Sequence, residues 1–191
     1  MSSERFNQLV EIGKNWQDEV RNKFESMGFV TNGYGQEGLL EKQFHKAIRK
    51  MNYNSTARFI RFVPDLVVAI ENKCCFLVEA KSEKKENYNS LNYSYQIDSY
   101  DVGVLLHKIG VDVLVVFEEW RACFVHNIKF WKKYTDPDYL KTVSGSGTPF
   151  GLVHKVDVPL FDDFINSILN PYVVKTKVPL VTEQATIVDF I

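Results

Sequence analysis

The pattern of apolar segments predicts an α/β fold, a central mixed sheet flanked by helices. Three observations lead to it. Two apolar runs, residues 66–70 and 74–78, are split by the polar triplet Glu71-Asn72-Lys73, and short apolar runs about a turn signal form a buried β-hairpin. A helical pattern over residues 92–109 ends at Gly110 and gives way to the near-continuous apolar run 111–117, the mark of a buried parallel strand. The second hairpin strand, that helix and that strand then make a βαβ unit, which crosses over right-handed.

The totals fit an ordinary globular chain. At 191 residues it is long enough for one domain with a proper core, here expected over residues 1–171, with a tail over 172–191. The formal net charge is −1, so nucleic-acid contact has to come from local patches. Three cysteines, with Cys74 and Cys75 adjacent and no paired framework, point to a reducing cytoplasm. The first fourteen residues are amphipathic and include acids, unlike a signal peptide. No apolar run approaches the roughly 18–20 residues of a membrane span. A soluble, cytoplasmic protein with no membrane partner is the expectation.

In chain order, residues 3–28 read as a helix. Ser3 can cap it, Phe6, Leu9, Trp16, Val20, Phe24 and Met27 recur at helical spacing, Gly13 can bend it and Gly28 ends it. Residues 29–31 suit a short strand. A glycine-rich break over 32–35 lacks the spacing of a phosphate cradle and reads as a loop. The next helix, residues 36–51, has an apolar face of Leu40, Phe44, Ala47, Ile48 and Met51 and an opposite basic stripe of Lys42, Lys46, Arg49 and Lys50. From 41 to 61 the acid Glu41 stands against these four and Arg58 and Arg61. Such one-sided charge suits a phosphate backbone, although a solvated helix face is the common reading.

Beyond the hairpin, residues 82–90 form a polar loop containing Lys84 and Lys85. On the helix expected over 92–109, Ile97, Tyr100, Val104 and Leu105 make the buried face. Residues 121–125 pair back on strand 111–117. A second basic run, His126, Lys129, Lys132 and Lys133, is interleaved with Phe130 and Trp131, which pack on the sheet or stack on bases. Residues 150–153 suit a strand, and residues 159–169 a short helix closed by Asn170-Pro171. The histidines at 45, 107, 126 and 154 show no ligand spacing and read as surface or packing residues.

The open end of the hairpin holds the chemistry. Asp65 lies seven residues before Asn72 and Glu79 seven after, so a turn centred there sets them opposite each other, with Cβ atoms about 4.5–5.5 Å apart. Strand alternation puts Lys81 on the face of Glu79. Opposed like charges repel, and burial raises the cost. A divalent cation between them reverses the sign, so the pattern reads as a metal site with a lysine beside it; the bland alternative is a surface hairpin with solvated ion pairs.

Pro64-Asp65, thirteen residues, then Glu79-Ala80-Lys81 resembles the PD-(D/E)xK nuclease superfamily, which implies a restriction-endonuclease-like core. Residues 13–29 are similar to the first helix of its Holliday-junction-resolvase branch, which often has a catalytic glutamate four residues after the glycine; Gln17 stands there instead. Gln96 and Tyr100, one turn apart, resemble the third motif of the RecB-like branch. The resemblance implies a Mg²⁺- or Mn²⁺-dependent nuclease acting on DNA. Asp65, Glu79 and the carbonyl of Ala80 would hold the cation. Lys81 would position or help deprotonate the attacking water, and Gln96 with a helical residue would orient it. Glu41 is preferred for that residue, with Gln17, Glu19 and Glu37 open. Lys42, Lys46, Arg49, Lys50, Arg58, Arg61, Lys84 and Lys85 would meet the DNA backbone. Repair or recombination of branched DNA, by a homodimer in the resolvase manner, is favoured over restriction-like or RecB-like cleavage.

The tail residues Gln184, Ile187, Phe190 and Ile191 resemble a sliding-clamp (PCNA-interacting) motif. On one helical turn the three apolar residues would make a knob for a preformed pocket, although a docked C-terminal element explains them equally. Two other classes stay open, a catalytically inactive DNA-binding module on a decayed core and a clamp-binding subunit.

Overall fold

A computed structural model describes residues 3–34, 44, 47–48, 51, 54–82, 91–133 and 149–175. Its elements are α1 (Ser3–Ser26), β1 (Val30–Gly33), α2 (Ser55–Arg61), β2 (Leu66–Ile70), β3 (Cys74–Lys81), β4 (Asn92–Gln96), α3 (Ile97–Lys108), β5 (Val113–Phe117), β6 (Arg121–Phe124), β7 (Lys132–Lys133), β8 (Phe150–His154) and α4 (Phe161–Lys175). A five-stranded mixed sheet in the order β1-β2-β3-β5-β6 forms the centre, as the sequence predicts. β3 and β5 are parallel, and the other neighbours are antiparallel.

The hairpin folds as its composition requires. Asn72 adopts φ 58°, a left-handed conformation that asparagine tolerates better than most residues, and Lys73 N–H closes the turn on the Ile70 carbonyl at 3.1 Å. The β5–β6 turn is less ordinary. Glu119 and Trp120 take φ 63° and 54°, the doubly left-handed geometry that matches strand twist but usually needs Asn-Gly.

Each sheet face has its own core. On one, Trp16, Val20 and Phe24 of α1 and Phe161 and Ile165 of α4 cover Leu66, Val68, Phe76, Val78, Leu114 and Val116. Phe24 meets Phe29, Phe76 and Phe161 edge-on at 5.2–6.0 Å, a geometry aromatic rings prefer. On the other, Val102 and Leu106 of α3 cover Leu77, Val113 and Val115, while Tyr93 and Tyr95 of β4 join the same cluster. β5 is buried along its whole length, which explains its unbroken apolar run.

Several expectations need correction. Residues 92–109 are not one helix: 92–96 form strand β4 in a second sheet ordered β4-β8-β7, and the helix is Ile97–Lys108. Tyr93 and Tyr95 are both fully buried, so the governing period there is two, not 3.6. The buried helix positions accordingly are Ser99, Val102, Gly103 and Leu106, and Leu105 is 52% exposed. At Gly103 a Cβ would stand 2.8 Å from Val125 Cγ2, so only glycine lets α3 approach so closely. The helix expected to close at Asn170-Pro171 continues to Lys175, held from its start by Phe161 and Ile165. Helix α2 was not expected; Asn54 caps it by accepting the Ala57 N–H at 2.9 Å.

Of the helix expected over 36–51, Phe44, Ala47 and Ile48 are described and helical. Among the described residues no helix is long and apolar enough to cross a membrane.

Phe130 packs over Gly151, where a Cβ would come within 2.2 Å of its ring. Gly151→Ala should therefore lower stability by about 1–3 kcal/mol, measured by urea unfolding.

Candidate active site

Strand β3 sorts the chemistry by alternation. Phe76, Val78 and Ala80 face α1; Leu77, Glu79 and Lys81 face the side of α3 and β4. The β2–β3 register pairs Ile70 with Cys74 and Leu66 with Val78. One step further sets Asp65 against Glu79, and a second sets Pro64 against Ala80.

Asp65 is pinned at both carboxylate oxygens. Oδ2 accepts the backbone N–H of Ala80 at 2.9 Å, and Oδ1 accepts Nε2 of Gln17 at 2.9 Å. Its carbonyl accepts the Tyr34 N–H at 2.8 Å. Odd residues of β3 turn their backbone groups to β5: Leu77 N–H meets Asp112, and the Lys81 carbonyl meets Glu118. Ala80 therefore points its carbonyl towards β2, where Pro64 has no N–H to offer.

Glu79 is 5% exposed, and a buried carboxylate needs a partner. Lys81 supplies it, in direct ion pairing with Glu79 Oε1. The Lys81 ammonium also lies 5.7 Å from the centroid of the Tyr95 ring. Burial pulls its pKa down, but Glu79 and then Asp65 outweigh burial, and the value ends above the ordinary 10.5. The pair's contribution to stability is thus fully present below that ordinary value and fades as pH rises through the raised one. The Tyr95 phenol is pushed well above its ordinary 10, by burial first and then by Glu79, Cys123 and Asp65. Two carboxylates, one ammonium and one neutral phenol leave a net charge of −1.

That donor set fits a hard divalent cation. Asp65, Glu79 and the Ala80 carbonyl offer oxygen ligands of the kind Mg²⁺ and Mn²⁺ take. A carboxylate has about four lone-pair sites, so the bonds from Ala80 and Gln17 do not exhaust Asp65.

Of the helical residues considered for the site, Gln17 reaches Asp65, while Glu19 is exposed on α1. Glu37 and Glu41 lie outside the described residues, as do Lys42, Lys46, Arg49, Lys50, Lys84 and Lys85 and the tail residues Gln184, Ile187, Phe190 and Ile191. Arg58 bridges Asp98 and Asp101 of α3 at 2.6 and 2.7 Å, and these contacts outweigh burial to raise its pKa. Arg61 sits 5.0 Å from the Phe62 ring centroid. Gln96 ends β4, paired in register with Phe150. Tyr95 went unread in the sequence, though the alternation of Tyr93 and Tyr95 was its signal. The His107 and His126 rings, far apart in sequence, stack 3.8 Å apart.

No protein-family model and no curated protein matches the chain. Among solved structures it is similar to Hjc, a Holliday junction resolvase from the archaeal hyperthermophile Archaeoglobus fulgidus. That likeness covers 81% of this chain and 98% of the other, at 12% identity and a TM-score of 0.47.

Removing one partner of a buried ion pair strands the other. Lys81→Met should cost about 3–5 kcal/mol at neutral pH, read by urea unfolding without divalent cations. The loss should shrink as pH rises through the raised Lys81 pKa, where the parent ammonium gives up its own proton.

Proposed function

We propose that the chain is a divalent-metal-dependent deoxyribonuclease that hydrolyses DNA phosphodiester bonds, with branched or structured DNA as its substrate. The observation that supports this most is the confrontation of Asp65 and Glu79 at the carboxyl end of β3, with Lys81 on the same face. Metal dependence follows from the donor set. Branched DNA follows from the resemblance of α1 to the first helix of resolvases, now with Gln17 placed against Asp65.

A bound Mg²⁺ or Mn²⁺ supplies Lewis acidity, acidifying water and offsetting charge on phosphate oxygens. Asp65 and Glu79 supply negative charge in a fixed geometry, because Ala80 N–H and Gln17 hold the Asp65 carboxylate. Lys81 stays an ammonium beside them and donates charge-assisted hydrogen bonds to phosphate oxygens as negative charge builds. The Tyr95 ring backs Lys81, its centroid 5.7 Å from the ammonium. Lys42, Lys46, Arg49, Lys50, Arg61, Lys84 and Lys85 contribute phosphate contacts, and Arg58 braces α2 on α3 as well. A homodimer suits a two-fold junction, and the 172–191 tail binds a sliding clamp.

One observation favours a second reading. Gln17 is neutral where resolvase-like nucleases often have a glutamate, which suits a DNA-binding module without catalysis. Labelled single-stranded, duplex, flap and four-way-junction DNA, incubated with Mg²⁺, Mn²⁺ or EDTA, separates the two. Cleavage in Mg²⁺ but not EDTA supports the nuclease, and binding without cleavage in either metal supports the module.

Asp65→Ala should abolish cleavage and keep DNA binding in a gel-shift assay; surviving Mg²⁺-dependent cleavage would refute the assignment. Gln17→Glu sets a third carboxylate against Asp65. Its melting temperature in EDTA should fall, and Mg²⁺ should raise it more than in the parent. Truncation after Leu180 should leave cleavage intact and remove capture on an immobilised clamp.

A further inference from the structure

A second constellation lies at the other end of the sheet. His107 lies in the last turn of α3, Asp112 precedes β5, and His126 lies in the short 3₁₀ turn after β6. Because β5 and β6 are antiparallel, with Leu114 opposite Phe124, two further steps bring residues 112 and 126 level. The ligand atoms of all three residues lie within 4.8 Å of one another.

The local bonding is incomplete. His107 Nδ1 is buried and has no hydrogen-bond partner among the described residues, although Asp112 Oδ1 stands 3.4 Å away. That separation is long for an N–H···O bond, which prefers about 2.7–3.2 Å. It matches the edge of a tetrahedron about an ion whose bonds are about 2.0–2.2 Å. Two imidazole nitrogens and one carboxylate oxygen make a borderline-soft donor set, suited to Zn²⁺ rather than Mg²⁺.

We propose that His107, Asp112 and His126 form a Zn²⁺-class site that clips the end of α3 to the β5–β6 pair. Three protein ligands leave the fourth position to water. The stacked rings, 20° from parallel, cannot both aim a lone pair at one point, so His126 turns on binding. It is the exposed member and borders a cavity of about 400 Å³ shared with Ile128, Val153 and Val158. The site is separate from the Asp65–Glu79 pair and does not depend on nuclease function.

The test uses untagged, EDTA-treated, reduced full-length protein titrated with Zn²⁺ by calorimetry and with Co²⁺ by visible absorption. With Mg²⁺ in excess to occupy the Asp65–Glu79 pair, one equivalent of Zn²⁺ should bind at the histidines, raise the melting temperature, and share its site with Co²⁺ that shows the intense bands of four-coordination. His107→Ala, Asp112→Asn and His126→Ala should each weaken binding by at least the roughly 10–100-fold that loss of a supporting group costs. His126→Ala, at an exposed position, guards against misfolding as the cause. Cys74→Ser with Cys75→Ser should bind as the parent does. Unchanged affinity in His126→Ala, loss of binding with the two cysteines, or no binding by the parent would each overturn the site.

Discussion

The structure depends on one electrostatic constraint: the hairpin register sets Asp65 and Glu79 against each other at the mouth of β2 and β3. Each carboxylate is held by a different means. Asp65 stays at the sheet's end, where Ala80 N–H and the Gln17 amide bond it. Glu79 faces inward, and the Lys81 ammonium makes its burial tolerable. A ladder hydrogen bond would normally occupy the Ala80 N–H. Here the Asp65 carboxylate takes it, while Pro64, which has no N–H, gives the Ala80 carbonyl no ladder donor.

The two cores exist in service of this arrangement. The α1 face brings Trp16, whose Nε1–H reaches the Val116 carbonyl at 3.4 Å, and so sets Gln17 beside Asp65. On the opposite face, β4 slides Tyr95 under Lys81. α3 can lie close only because Gly103 clears Val125. The site thus needs both layers, although its charged residues lie within seventeen positions of sequence.

What was legible in the sequence was local or strongly periodic. The hairpin, its centre at Asn72 and the buried β5 are written in contiguous residues, and the register follows by counting. β4 was not legible as a strand, because Asn92-Tyr-Ser-Tyr-Gln merges without a break into Ile97-Asp-Ser-Tyr and the combined stretch mimics a helix. Its partner β8 comes from residues 150–154, and β7 (132–133) pairs on the far edge of β8; no local pattern announces that pairing. Gln17 looked like a departure from a familiar pattern, and only the packing of α1 shows what its amide touches. The meeting of His107 with His126 depends on the β5–β6 pairing and was equally out of reach.

The Glu119-Trp120 turn holds a bulky pair in a conformation that suits asparagine and glycine. Its retention is understandable from what the indole does: it lies 4.9 Å from the Trp16 ring and 5.5 Å from Phe161, while Glu118 N–H secures the Lys81 carbonyl and the Trp120 carbonyl receives the first N–H of α4 at 2.7 Å. Three residues thereby act as a keystone, into which the amino-terminal helix, the carboxyl-terminal helix and the end of β3 are all locked. Relaxing that bend with an easier dipeptide would trade local comfort for the alignment of three distant chain segments.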